Sequence, residues 1–327
     1  MALVSFSTAG LPAAQRVALW EDHNTSALIG LRCRMLGETS FDGTELNLQL
    51  DRMHLARVRG NAHVVERPAE VIRRSPADAI AVYLAVAGEA FFYHEDGVLT
   101  LRPGQALVCD ADRPFMRGFS RGLEELAIKV PRATFREITG LDELRAPLVR
   151  DFARGDASAR TLARLVDRAV RPDGGEPIDE ETVLHLLAGM TGRSAADPGR
   201  VHLANARAFI EDHLSDPGLN AARVAAGIAI SERHLSRAFA AAGASLPRYV
   251  LVRRLERARA VLLAEERVTV AEAAARCGFG STKYFAQTFR AHFGFRASDL
   301  RRASDPRRAS DLRRPSDLRR AGDLRRA

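Results

Sequence analysis

The chain is poor in the residues that staple, bridge or span. Its three cysteines, Cys33, Cys109 and Cys277, lie far apart and in no C-x-x-C or Cys/His grouping. That pattern suggests neither a zinc site nor a redox pair, a disulfide framework is not needed at this length, and a reducing, cytoplasmic setting fits best. No run of about 18 apolar residues occurs, nor a basic N-terminal segment leading into a long apolar stretch, so a membrane span and a cleaved leader are not expected. Equally absent are a G-x-S-x-G elbow, an H-E-x-x-H pair, a phosphate-binding loop and a facial set of His and carboxylates at usable spacing. We therefore expect no catalytic residues, no cofactor and no metal, and a protein that is not an enzyme. Lysine is scarce too, confined to Lys129 and Lys283, so arginine carries nearly all the positive charge.

With 327 residues the chain is long enough for two domains, each burying its own apolar core. The net charge of +8 is unevenly spread. Residues 1–200 hold 25 basic and 28 acidic side chains, residues 201–296 hold 14 and 8, and residues 297–327 hold ten Arg and five Asp. All the excess positive charge is C-terminal, which points to a polyanionic partner.

Residues 79–130 read as a β-meander: short apolar runs at Ile80–Ala87, Ala90–Tyr93, Val98–Leu101 and Ala106–Cys109 alternate with turn residues. Asp96-Gly97 predicts a type I′ hairpin, and Arg102-Pro103-Gly104 and Asp112-Arg113-Pro114 mark further turns. Phe41–Arg59 suggests more strands and Ala13–Trp20 a short helix, so a small β-barrel is expected. From Pro131 to Met190 the period lengthens, as in Leu162, Leu165, Val166 and Ala169, then Val183, Leu186 and Leu187, predicting helices packed on the barrel. Residues 191–200, with Gly192, Ser194, Asp197, Pro198 and Gly199, have the composition of a linker. The expected organisation is a β domain with helices over 1–190, that linker, an all-α domain over 201–302 and a tail over 303–327, an α+β chain overall.

Residues 201–296 carry one pattern twice. Asn220 and Thr269 are suited to cap a helix, Thr269 and Glu272 form a capping box, and each cap precedes a small Ala, Ala225 or Ala274, by five residues. After a short turn, Ser231 or Ser281 caps a second helix. The pairs Leu235/Phe239 and Phe285/Phe289, spaced i and i+4, would bury one face of it. Outward would lie Glu232, Arg233, Ser236 and Arg237 in the first copy, and Thr282, Lys283, Tyr284, Gln287 and Arg290 in the second. Polar tips on an exposed helix suit a major groove. Pro247 predicts the first turn of a connecting helix running to about Ala264. Such a rod could present two reading helices to successive grooves about 34 Å apart.

Arg254-Leu255-Glu256-Arg257-Ala258-Arg259, Cys277-Gly278-Phe279 and Tyr284-Phe285-Ala286-Gln287-Thr288-Phe289-Arg290 resemble the AraC/XylS family of transcription regulators over roughly 100 residues. The N-terminal half resembles the β-barrel sensor of its XylS-like branch through Tyr83-Leu84, Gly88, Asp96-Gly97, Arg102-Pro103-Gly104, Asp110, Arg113-Pro114-Phe115 and Val130-Pro131. The resemblance implies a cupin-like β-barrel with packed helices and a C-terminal tandem helix-turn-helix domain. It places base-contacting positions at Arg233, Ser236 and Arg237, and at Thr282, Lys283, Tyr284 and Gln287. Arg237 is suited to guanine and Gln287 to adenine, with Ser231 and Ser281 on phosphate. Arg290 completes the candidate DNA-binding set. Implied partners are double-stranded DNA, a small organic effector, RNA polymerase and a second copy of the chain, and the implied sign of control is activation. Two departures stand out. Ala229 replaces a usual turn glycine, and Ala297 and Leu300 replace a usual proline and tyrosine.

Other residues admit plainer readings. Arg253, Arg254, Arg257 and Arg259 could solvate a helix or pair with Glu256 as readily as touch phosphate. His94 beside Glu95 has no second close His, so a hydrogen-bonded histidine is favoured over a metal ligand. Phe91, Phe92, Tyr93 and Phe115 either line an effector pocket or simply fill the core. Residues 297–326 form five hexapeptides, (Ala/Pro)-(Ser/Gly)-Asp-(Leu/Pro)-Arg-Arg, whose period matches neither helix nor strand. They are expected to be disordered. Against a regulator stand an enzyme, which no motif supports, and a protein-only adaptor, for which Arg-tipped helices would be odd.

Overall fold

The computed structural model describes residues 3–37, 40–191, 198–265 and 267–304. It forms two compact units, Met1–Ala208 and Phe209–Ala327.

The first unit opens with β1 (Val4–Ser7), α1 (Arg16–Ala27), β2 (Arg32–Met35), β3 (Gly43–Gln49), β4 (His54–Gly60) and β5 (His63–Arg67). After α2 (Ala69–Arg74) come β6 (Ala79–Ala87), β7 (Ala90–His94), β8 (Gly97–Leu101), β9 (Gln105–Asp110), β10 (Phe115–Phe119) and β11 (Leu123–Pro131). Then follow α3 (Arg132–Thr139), β12 (Leu148–Asp151), α4 (Ala157–Ala169), α5 (Glu180–Met190) and α6 (Pro198–Asp212), inside which the two units divide.

The expected barrel is built as two facing antiparallel sheets, ordered β1-β3-β4-β11-β6-β9-β12 and β2-β5-β10-β7-β8. Strand periodicity sorts their side chains into two cores. Along β6, Ile80, Val82 and Leu84 face one way and join Phe135, Leu162, Val166, Leu186 and Leu187 under the helices. Ala81 and Tyr83 face the other way and meet Val65, Phe92, Phe115 and Phe119 between the sheets. The near-continuous apolar reading of β6 therefore marks a strand covered on both faces. Helices α3, α4 and α5 supply the outer cover, as their apolar spacing predicts.

Five expectations change in detail. The run 79–130 is not a simple meander: β7 pairs with β8 and β10 in one sheet, while β6 pairs with β9 and β11 in the other. The hairpin turns at Glu95-Asp96, neither at positive φ, and Gly97 takes φ 141° as the first residue of β8, so the turn is not type I′. Pro198 and Gly199 lie in α6 rather than in a linker, since Pro is compatible with a helix's first turn; Gly192, Ser194 and Asp197 fall outside the described residues. The first hexapeptide is ordered, a 3-10 helix over Ala297–Ser304 with Ala297 and Leu300 buried; the repeats from 305 onward fall outside the described residues. There the apolar Ala and Leu of the repeat find a core to pack on, which a period count does not register. The N-terminal helix is also longer than expected, a 3-10 turn at Ala13–Gln15 leading into α1.

In the second unit α7 (Ala221–Gly227), α8 (Glu232–Ala241), α9 (Leu246–Ala264), α10 (Val270–Arg276) and α11 (Thr282–Phe293) follow the end of α6. The helix α9 has Pro247 in its first turn and 19 residues, a rod of about 28 Å at 1.5 Å per residue.

Candidate nucleic-acid interface

Each helix-turn-helix copy is assembled by its own caps. Asn220 accepts from the Arg223 amide, and Thr269 and Glu272 close a reciprocal capping box. Both first helices end alike. The Ile230 amide donates to the Ala225 carbonyl at 3.0 Å and Ala229 to Ala226 at 3.2 Å; Phe279 donates to Ala274 at 3.0 Å and Gly278 to Ala275 at 3.0 Å. This is the Schellman pattern, whose pivot residue is left-handed. Gly278 holds φ 79° at no steric cost, whereas Ala229 is forced to φ 57°. The departure from glycine thus stores backbone strain in the first turn while leaving its hydrogen bonding intact.

The second helices of the two copies, α8 and α11, are started by Ser231 and Ser281, whose hydroxyls accept from the His234 and Tyr284 amides at 3.2 and 3.3 Å. Each hydroxyl keeps its own proton to donate outward. Leu235 and Phe239, like Phe285 and Phe289, are buried, which fixes the rotation of each helix. Consequently Ser231, Arg233, Ser236 and Arg237 on one helix, and Ser281, Thr282, Lys283, Tyr284, Gln287 and Arg290 on the other, are all exposed. Tyr284 is 52% exposed, so its ring and hydroxyl are open to solvent on this face.

Charge pairing sorts the cations of this unit into two groups. Among the described residues Arg233, Arg237, Lys283 and Arg290 form no ion pair. Arg253, by contrast, binds Glu211 at 2.5 Å and Glu256 at 2.5 Å. Burial opposes its charge, but the Glu211 carboxylate prevails and raises its pKa further. Arg254 donates to the Leu214 and Asp216 carbonyls at 3.0 and 2.5 Å, and the Arg259 guanidinium lies 5.8 Å from the Phe293 ring centre. Arg223 pairs with Asp216 and Arg276 with Glu265. The arginines of the Arg254–Arg259 segment therefore hold the unit together. The structure adds exposed cations, without an ion pair among the described residues, that sequence reasoning did not single out: Arg248, Arg267 and Arg296. Nothing in their local sequence distinguishes them from the paired arginines.

In the first unit, Phe92 and Phe115 are core, stacked 5.4 Å apart, and Phe91 and Tyr93 are exposed. None of the four borders the cavity between the sheets, which Trp20, Tyr83 and Phe119 line instead. His94 packs against the Phe92 ring, and no metal-binding cluster exists among the described residues. Burial pushes the Cys33 thiol, with help from Glu21, and the Cys109 thiol each up to about 12, so both are inert. No helix among the described residues is long and apolar enough to cross a membrane.

Two helix-turn-helix copies in one unit of a chain whose other unit is an antiparallel β fold with an internal cavity define a DNA-binding transcription regulator. Comparison with known proteins agrees. A helix-turn-helix domain model matches residues 224–303, and an AraC-binding-like domain model matches residues 20–192. The chain belongs to the AraC family of transcription regulators. It is 24% identical over 263 residues to the transcriptional activator NphR of a Rhodococcus species, covering 74% of this chain and 75% of that protein. It is 36% identical over 100 residues to the transcriptional activator RhrA of Rhizobium meliloti, covering 30% and 32%. Among solved structures it resembles the AraC-like transcriptional activator CuxR, at 17% identity and a TM-score of 0.49, over 84% of this chain and 100% of that one.

Proposed function

We propose that this protein is an effector-responsive activator of transcription whose helices α8 and α11 read two successive major-groove segments on one face of DNA. The observation that carries the reading is the pair of cap-fixed helices whose ten candidate residues are exposed and whose four cations have no ion pair among the described residues. Arg237 donates bidentately to guanine and Gln287 pairs with adenine. Arg233, Ser236, Thr282, Lys283 and Tyr284 complete the base-facing set, while Ser231, Ser281 and Arg290 engage phosphate. A rod of about 28 Å is commensurate with reading helices about one helical turn apart.

In this reading residues 1–190 sense and dimerise, residues 201–302 bind DNA, and the chain's task is recognition rather than catalysis. A small organic molecule bound in the β unit alters how the DNA-binding unit is presented, and the DNA-bound protein recruits RNA polymerase. Two relatives named as activators favour that sign of control. The test is selection from a random DNA library at physiological salt with the full-length chain. The expected result is a site of two short elements about 10 base pairs apart. Binding with no enriched sequence would overturn it in favour of a protein-only or non-specific role.

A further inference from the structure

Most apolar side chains of the β unit are enclosed in its two cores, but one group is not. On the outward face of the five-stranded sheet, Phe91 and Tyr93 of β7 and Val98 of β8 are exposed. They are cross-strand neighbours: Tyr93 sits between Val98 and Met116, and Phe91 between Thr100 and Gly118. The Phe91 ring lies on Gly118, where an added Cβ would meet it at 1.9 Å. Apolar surface gathered in this way marks an interface, as single exposed side chains do not. The helices packed on the other sheet offer no rival, since neither α4 nor α5 has an exposed large apolar side chain.

Strand β8 is also the edge of that sheet. The opposite edge, β2, carries Arg32 and Arg34, paired with Glu70 and Glu66. Within β8 there is no charge, no proline and no bulge, the devices that keep an edge from pairing. Its two-residue turn makes His94 and Gly97 a hydrogen-bonded pair. By alternation Leu99 and Leu101 also bond back to β7, while the amides and carbonyls of Val98 and Thr100 point away from it. Those groups have no hydrogen-bond partner among the described residues.

We propose that β8 docks on β8 of a second copy, antiparallel about a two-fold axis at Leu99. The inference rests on reading residues 1–190 as dimerising, and gives that role its surface. Registers centred on Val98, Leu99 or Thr100 each pair outward-pointing residues with one another. Charge selects among them. Centred on Leu99, Val98 meets Thr100 of the second copy and Asp96 meets Arg102, at both ends of the strand. Centred on Val98, Asp96 would meet Thr100; centred on Thr100, Arg102 would meet Val98. The Asp96 carboxylate is exposed, and its one cationic neighbour among the described residues is His94, 3.9 Å away. Arg102 engages Glu89 through Nε alone, at 3.0 Å, which leaves its terminal nitrogens for Asp96 of the second copy. Glu95, beside Asp96, would fall against Pro103. On the outward face the row Met116, Tyr93, Val98 runs on into Thr100, Phe91 and Gly118 of the second copy. The result is one isologous sheet with five strands from each chain.

The test is sedimentation of the full-length protein without DNA. A single short strand on each side predicts a reversible dimer of micromolar affinity. Asp96→Arg sets arginine against arginine at both ends, and Arg102→Asp sets aspartate against aspartate. Each should weaken the dimer about tenfold, and the double variant, which restores the complement in reverse, should recover it. Thr100→Pro removes an outward amide that β7 does not use, and should leave a monomer with an unchanged melting temperature. Cysteine linkage reads the register. At the axis Leu99 faces Leu99 in a non-hydrogen-bonded pair with Cα atoms about 4.5 Å apart, within disulfide reach. Val98 is more exposed, but its two copies lie on a diagonal of about 7–8 Å, beyond that reach. Mild oxidation should therefore link Leu99→Cys and spare Val98→Cys, the native Cys33 and Cys109 thiols being held inert by burial. A dimer indifferent to these substitutions, a double variant no better than the single ones, or preferential linkage of Val98→Cys would overturn the assignment of β8 and leave a dimerising β unit standing. A monomer at every concentration would overturn both. Site selection from random DNA on the same preparations tests the regulator reading separately, since one chain carries both reading helices.

Discussion

The two helix-turn-helix copies share a plan but not a level of reinforcement. Copy two has a capping box, a glycine at the left-handed pivot and a run of touching rings, with Phe285 to Phe289 at 5.3 Å and Phe289 to Phe293 at 4.5 Å. The 3-10 helix after it closes the same core with Ala297 and Leu300. Copy one has a single Asn cap and an alanine at the pivot. Packing therefore secures the second reader by aromatic bulk, while the first carries strain in its turn. The pair shows that a helix-turn-helix needs its hydrogen-bond pattern more than it needs glycine.

The largest break in this comparison should come from Phe285→Ala. Removing a fully buried ring costs about 3–5 kcal/mol and should abolish the cooperative unfolding transition of the second copy, as followed by urea denaturation. Next is Gly278→Ala, whose new Cβ would sit 2.4 Å from the Leu214 carbonyl oxygen in addition to adopting φ 79°. The left-handed conformation alone costs about 1–2 kcal/mol, so a larger loss in thermal melting is expected. The mirror substitution, Ala229→Gly, relieves the strain of φ 57° and should stabilise the unit by up to about 1 kcal/mol. A destabilised Ala229→Gly protein would contradict the strain account.

His63 in the β unit has its pKa lowered, first by burial, with the Asn61 carbonyl and Glu125 opposing. The unfolded chain then binds the proton more readily, so this stability is present above about pH 6.5 and is lost as pH falls below it. Acidification should thus lower the melting temperature of the β unit, and His63→Gln should reduce that dependence without abolishing it, because burial also lowers the pKa of His54, to about 4, and of His185.

Local signals were legible and long-range ones were not. The caps Asn220, Ser231, Thr269 and Ser281, the buried i, i+4 pairs and the Pro247 start of the rod were readable because each acts within one helical turn. The strands of 79–110 were readable from their apolar runs, but not that β6 lies between β9 and β11, because pairing register depends on residues far along the chain. Strands β2, β5 and β12 escaped notice, being short and rich in charge: Arg32 and Arg34, Glu66 and Arg67, Arg150 and Asp151. The buried ion pair of Arg117 on β10 and Glu125 on β11 was invisible for a related reason. An arginine or glutamate in a strand reads as facing solvent until the fold turns it inward.

The most direct test of the central claim is the change in base preference when one reader is altered at a time. Arg237→Ala should relax one element of the selected DNA site by about 1–3 kcal/mol and leave the other intact, and Gln287→Ala should do the reverse. If both substitutions instead weaken binding uniformly across all sequences, these side chains do not read bases and the two-reader account is wrong.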